Sequence, residues 1–262
     1  MKKTLMVLLL LWNPCSIYAL ILNDTFQSPI AHPSMDLDYD LHTHTFWGVD
    51  NDHPNTTGLS VYHFDDSGSL INQWPTGEGF NLTEIAVDSP NNRVFYLKDL
   101  TNTLYETTFT GQIISQRTLT FDPSLVIRGM VYDPVPGHLV INWVDHQGGA
   151  GFIQYAPDSD EYFPRQLFDF EQYFQAGPYG FDLTQDSYYV LSYFGHIIEI
   201  NRQTLGVTNQ YFTLPESSGL ALDEDGNFYH LDFDGVVRHF IIPEPATLLL
   251  LGMGGLLIRR RK

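Results

Sequence analysis

The sequence contains one cysteine, Cys15, and it lies in an apolar N-terminal stretch. The chain downstream of it has no thiol, which excludes disulfides and cysteine-based metal centres there. Charged residues make up only 17%, too few for long solvated helices. Positive charge is scarcer still: 13 Lys and Arg stand against 31 Asp and Glu. Lys2, Lys3, Arg259, Arg260, Arg261 and Lys262 crowd the termini, so residues 20–242 hold 7 basic and 30 acidic residues, a net charge near −23. A surface this acidic repels nucleic acid and anionic lipid; it suits solubility or the attraction of cations. Motifs for nucleophilic or nucleotide chemistry are missing as well. There is no G-x-S-x-G, H-E-x-x-H, P-loop or complete G-x-G-x-x-G, and no spacing gathers a Ser-His-Asp triad.

What is present is apolar and aromatic. Hydrophobic residues reach 43% of the 262 positions, with 18 Phe and 15 Tyr, a composition that favours strands around a packed core. Residues 1–19 read as a secretory leader: Lys2 and Lys3, an apolar core from Leu5 to Leu11, a break at Asn13-Pro14, and the small Ala19 before the cut. The apolar run is short for a bilayer span. Trp12, Asn13 and Pro14 are not the residues a lipid-attachment box around Cys15 requires.

Residues 243–262 have three parts. Pro243-Glu244-Pro245 can continue neither helix nor strand. Leu248 to Ile258 is apolar, a short hydrophobic helix marginal for spanning, and Arg259, Arg260, Arg261 and Lys262 close the chain. The positive-inside rule would keep those cations cytoplasmic and the acidic bulk outside. In order, spacing and position this tail resembles the PEP-CTERM sorting signal. The resemblance implies recognition by exosortase, a membrane-embedded cysteine transpeptidase, with cleavage near Pro243-Glu244-Pro245. It further implies transient anchoring in the inner membrane of an exopolysaccharide-producing Gram-negative bacterium, then a cell-surface or extracellular location.

Between the termini lies one expected domain, residues 20–242, in which residues 34–242 carry a degenerate repeat of short β-prone runs separated by turn residues. Units open near 34, 84, 129, 180 and 219, a mean period of about 46, the length of a four-stranded propeller blade. The last unit offers three strands, ending at Val236 to Ile242, and Leu20 to Phe26 is a spare strand that would close the ring. The expected fold is an all-β propeller of about five blades, with an irregular β-sandwich as the alternative. Gly219-Leu220-Ala221-Leu222-Asp223-Glu224-Asp225-Gly226-Asn227-Phe228-Tyr229 resembles repeats of the NHL and SMP-30-like propellers, which supports the fold.

Candidate site residues fall into three groups. His42 and His44, with Asp50 and Asp52 in the following loop, could hold Ca²⁺ or another divalent ion if the histidines share a strand face; a long surface turn explains the same residues. Asp223 to Asn227, Asp232 to Gly235 and Asp65 to Gly68 read as hairpin turns before calcium loops. Residues just before each innermost strand would line a channel mouth: Ser34, Glu84, Arg128, Tyr179 and Ser218. Of these only Glu84 suits a metal, and Arg128 opposes one. Aromatics such as Trp47, Trp74 and Trp143 could stack on sugars, although strand alternation favours core packing. The expected function is an exported, non-enzymatic propeller that binds or structures extracellular polymer, with extracellular polysaccharide a candidate partner. The alternative is a secreted metal-dependent hydrolase or lactonase on an SMP-30-like propeller.

Overall fold

The computed structural model describes residues 16–30, 33–50, 59–76, 82–98, 101–122, 124–145, 149–168, 178–192 and 194–242. Two strands come first, β1 (Ser16–Ala19) and β2 (Ile21–Gln27). Blade 1 is β3 (Pro33–Asp40), β4 (Thr45–Asp50), β5 (Ser60–Phe64) and β6 (Leu70–Pro75). Blade 2 is β7 (Leu82–Asp88), β8 (Arg93–Lys98), β9 (Thr103–Thr108) and β10 (Ile113–Thr118). Blade 3 is β11 (Leu125–Asp133), β12 (His138–Asp145), β13 (Ala150–Ala156), β14 (Glu161–Tyr162) and β15 (Gln166–Phe168), the last two both pairing β13. Blade 4 is β16 (Pro178–Leu183), β17 (Ser187–Ser192), β18 (His196–Asn201) and β19 (Val207–Phe212). Blade 5 is β20 (Ser217–Leu222), β21 (Phe228–Asp232) and β22 (Val236–Ile241), completed by β2. The protein is therefore an all-β, five-bladed propeller.

Ring closure follows the expectation from the spare N-terminal strand. β2 pairs antiparallel with β22, from Ile21 opposite Ile241 to Gln27 opposite Val236. Leu20 and Ile242 pack on the same hydrophobic cluster between blades 4 and 5. The chain thus enters and leaves the domain at one place. Ser16–Ala19, which the sequence places at the end of the leader, lies parallel to β19 as an added outer strand of blade 4. The rest of the leader, and the tail from Pro243 onward with its expected hydrophobic helix, lie outside the described residues. Among the described residues, no helix is long and apolar enough to cross a membrane.

The core is divided among the five spaces between blades. Trp47, Val61 and Trp74 meet Ile85 and Tyr96 between blades 1 and 2. Phe95 and Leu97 meet Leu139, Ile141 and Trp143 between blades 2 and 3. Phe152 stacks on Phe181 and Tyr188 between blades 3 and 4. Burial of alternate strand residues against both neighbours explains why second strands such as β4 and β17 are buried along their whole length.

Tight turns join the strands on one face of the ring. The Asp223 carboxylate accepts the backbone N–H groups of Asp225 and Asn227, and Gly226, at φ +77, donates to the Asp223 carbonyl. Asp65 organises Ser67, Gly68 and Ser69 in the same way, as does Asp232 on the opposite face. The turn geometry thus uses these carboxylates as local acceptors. The scarce arginines staple blades. Arg93 of blade 2 bonds Asp88 at 2.6 Å and reaches Asp158 of blade 3 at 2.7 Å. Arg202 of blade 4 pairs with buried Asp133 of blade 3.

Candidate functional site

The innermost strands of blades 2 to 5 share a one-residue irregularity of register. In blade 2 the register passes from Leu82 opposite Lys98 to Glu84 opposite Leu97, leaving Thr83 as an extra residue. The same step leaves Arg128 extra in blade 3, Tyr179 in blade 4 and Ser218 in blade 5. Each is a β-bulge, which re-aims one side chain. In blade 1 the irregularity is longer, from Pro33 opposite Asp50 to Leu37 opposite Gly48, and Asp36 precedes Leu37 as Thr83 precedes Glu84.

This register corrects one expected mouth residue. Glu84 is level with Gly129, Gly180 and Gly219, not with Arg128 and Tyr179, and it is wholly buried. Thr83 takes the bulge position instead. Arg128 and Tyr179 occupy the bulge positions of blades 3 and 4, half-buried, with the guanidinium carbon 5.3 Å over the Tyr179 ring. Phe233, from the β21–β22 turn, meets Tyr179 edge-on at 6.4 Å. Ser218 is buried and donates to the Leu231 carbonyl at 3.2 Å. Ser34 falls within β3, earlier than the position that Asp36 takes.

Below the mouth lies a row of carboxyls that the sequence reading did not single out. β3 carries Asp36, Asp38 and Asp40 at alternate positions, hence on one face. Asp36 accepts the N–H of Ile85 at 3.2 Å and of Met130 at 3.1 Å, linking blade 1 to blades 2 and 3. Asp38 accepts the N–H of Val87 at 2.7 Å, and Asp40 the hydroxyl of Ser89 at 2.9 Å. Asp182 repeats the device from blade 4 to blade 5, accepting the N–H of Leu222 at 2.6 Å. Burial pushes Asp36 well above the ordinary carboxyl range, and the Glu84 carboxylate adds to it. Burial likewise lifts Asp38 to about 7 and raises Asp182, with Asp38 adding repulsion. The signal was legible in part, since acids at alternate positions of an innermost strand must find buried partners.

The proposed metal group does not assemble. His42 and His44 occupy the exposed turn between β3 and β4, not a strand, and His44 contacts the Tyr39 hydroxyl at 3.3 Å. Asp50 is at the opposite end of β4, buried, and accepts the Tyr62 hydroxyl at 3.4 Å. A strand of this length separates its ends by roughly 17 Å, beyond the reach of one ion. Asp52 lies outside the described residues. Among the described residues, no three His, Cys, Asp or Glu side chains converge as a metal site.

The root of the tail is well defined. Ile242 donates its N–H to the Asn227 side-chain oxygen at 3.2 Å, and the Asn227 amide is held by Asp223 at 3.0 Å. From this residue onward, residues 242–262 match the family model of the PEP-CTERM protein-sorting motif. The tail is a PEP-CTERM sorting motif. The motif implies an exported protein whose tail is processed by membrane-anchored exosortase. Its named residues, Pro243, Glu244, Pro245, Arg259, Arg260 and Arg261, lie outside the described residues.

Comparison with solved structures concerns the ring. The chain is similar to the crystal structure of Myxococcus xanthus glutaminyl cyclase, at 12% identity and a TM-score of 0.65, covering 87% of this chain and 98% of that one. It is also similar to a chain of a nidogen–laminin complex, at 17% identity and a TM-score of 0.54, covering 83% and 82%. A Bacteroides thetaiotaomicron protein of unknown function aligns at 12% identity and a TM-score of 0.54, over 79% of this chain and 58% of its own length. At these identities the likeness shows the fold alone. No curated protein matches the chain.

Proposed function

We propose that this chain is an exported surface or extracellular-matrix protein, cut by exosortase near Pro243-Glu244-Pro245 and then released or re-attached, whose propeller binds extracellular polysaccharide without catalysing a reaction. The observation that carries the reading is the sorting motif beginning at Ile242, directly at the surface of a closed ring. The guanidinium that Arg128 carries at the bulge position of blade 3, where a metal site would need a ligand, supports the binding role. Cleavage of the leader after Ala19 would leave Leu20 as the first residue, already packed, and would remove β1 from the edge of blade 4.

Intact-mass analysis of the protein from its native host tests the sorting claim. The expected surface form lacks the leader and everything beyond the Pro-Glu-Pro segment; a surface form that keeps Arg259 to Lys262 overturns it. Polysaccharide co-sedimentation and elemental analysis test the binding claim. A stoichiometric divalent ion in the purified protein, together with hydrolytic turnover, would replace it with a metal-dependent hydrolase.

A further inference from the structure

A strip of exposed apolar side chains borders the place where the chain enters and leaves the ring. Ile21 and Leu22, at the start of the closing strand β2, are 38% and 47% exposed. They stand opposite Ile241 and Phe240, next to Ile242 at the root of the tail. Phe212, at the end of β19, is 47% exposed although its ring stacks on His196 at 4.3 Å. It pairs with Ala19, two residues before Ile21, so the three side chains border one junction, between blades 4 and 5. Carboxylates flank the strip. Asp24 follows Leu22 by two positions, and Glu224 and Asp225 lie in the turn whose Asn227 holds Ile242.

We propose that Ile21, Leu22 and Phe212 form the face on which the ring rests against the surface of a lipid bilayer while the tail is anchored. The inference rests on the membrane anchoring that the sorting motif implies, and it names the contact. Six Cα steps separate Ile242 from Leu248, where the apolar run of the tail begins, a reach of about 20 Å at full extension. A domain of this size is roughly 40 Å across, so a tether that short obliges the side carrying Ile242 to face the membrane. It also holds the ring at a local concentration on the order of millimolar, at which a small apolar strip suffices for contact. Exposed Ile, Leu and Phe side chains gain by entering the headgroup boundary, to a depth of about 5–10 Å. The acidic surroundings limit that contact. Asp24, Glu224 and Asp225 would repel anionic headgroups within a Debye length of about 8 Å, and residues 20–242 are near −23 overall. The strip therefore fits a zwitterionic surface, and the ring leaves it once the tether is cut.

The test uses the leader-free chain with its tail intact, floated with phosphatidylcholine vesicles that lack exosortase. That form has no native thiol once Cys15 leaves with the leader, so a fluorophore can be placed on Leu22→Cys or on Ile113→Cys. Ile113 is 57% exposed on the outer strand of blade 2, across the ring from the junction. Nitroxide-bearing lipids should quench residue 22 at least about threefold more than residue 113, because only the first reaches the headgroup boundary. Phe212→Ser and Ile21→Ser should each lower quenching at residue 22 by about half. Replacing about a third of the lipid by phosphatidylglycerol should lower it as well, through repulsion by the flanking acids. Equal quenching at the two residues, on vesicles that carry the protein, would overturn the contact and leave the anchoring standing. Quenching at residue 22 that appears only when exosortase is added would assign the strip to the enzyme. Quenching that grows with the protein-to-lipid ratio would assign it to a second copy of the chain. Either result overturns the lipid assignment. A chain that does not float with the vesicles overturns the anchoring and the contact together.

Discussion

Blades 3, 4 and 5 approach the axis of the ring by one means, blades 1 and 2 by another. In the first group a glycine stands at the level just past the bulge: Gly129, Gly180 and Gly219. A Cβ on Gly180 would lie 2.8 Å from the Leu220 nitrogen, and one on Gly219 would lie 2.9 Å from the Leu37 nitrogen. Neighbouring inner strands therefore come together backbone against side-chain root, with no space to spare. In blades 1 and 2 the same level carries Leu37 and Glu84. The inner strands there are bridged by the carboxyls of Asp36 and Asp38, a device that Asp182 adds to the glycine contact between blades 4 and 5. The difference teaches that a propeller axis can be filled by removing side chains or by using them as hydrogen-bond acceptors. The two solutions respond differently to mutation and to pH.

The largest expected effect comes from overfilling the glycine side. Gly180→Val should cost about 3 kcal/mol or more, because backbone atoms of Leu220 cannot yield as a flexible side chain would. Chemical denaturation reads this directly, and a valine variant as stable as the wild type would erase the distinction between the two groups. Next is Asp36→Ala. It strands the N–H groups of Ile85 and Met130 in the interior and should cost about 2–3 kcal/mol, while Asp36→Asn, which keeps an acceptor, should cost clearly less. Equal losses for the two variants would mean that the hydrogen bonds do not join the blades.

The carboxyl bridges, that of Asp182 in blade 4 among them, should also show a pH dependence that the glycine contacts lack. A carboxyl raised in the folded state lends its full stability below its unfolded value near 4 and loses it as pH climbs through the folded value. For Asp38 that window runs from about 4 to about 7. Asp36, Asp40 and Asp182 are its acidic neighbours, and repulsion among the group grows as protons leave. One pKa unit is about 1.4 kcal/mol, so even half of the Asp38 shift makes Asp38→Asn more stable than wild type by about 2 kcal/mol at pH 8, with little difference near pH 4. Thermal unfolding across that range decides it; parallel curves for the two proteins would show that Asp38 is charged throughout. The smallest effect belongs to the turns. Asp223→Ala removes local acceptors for two N–H groups and should cost about 1 kcal/mol. Hydrogen exchange should then rise at Asn227 and Ile242, where the tail is rooted; unaltered exchange there would uncouple the turn from the tail.

Much of the ring was readable in the sequence, and for local reasons. Strands and turns alternate over a period that matches a blade, and each Asp-x-x-Gly turn is organised by residues within four positions of one another. The closing strand was legible because the last repeat was one strand short. Two features of the site were not. A bulge shifts register by one residue, so Glu84 moved from the mouth into the interior and Thr83 took its place; no local pattern marks where the extra residue falls. His42 and His44 looked like strand neighbours, but β3 ends at Asp40 and the side chain of Asp40 turns the chain by accepting the N–H of His42 at 2.9 Å.

Composition and pattern alone determined that this chain is β-rich, acidic and repeated about five times, and that it ends in a sorting motif, because each of these depends on residues near one another in the chain. Only the tertiary structure decided what fills the axis and what reaches the mouth. Asp36 meets Ile85 across 49 positions and Met130 across 94, and Arg128 meets Tyr179 from the next blade. Such partners are chosen by how the blades close around a ring, and a buried carboxyl or a stacked guanidinium acquires its chemistry only from the neighbours that closure provides.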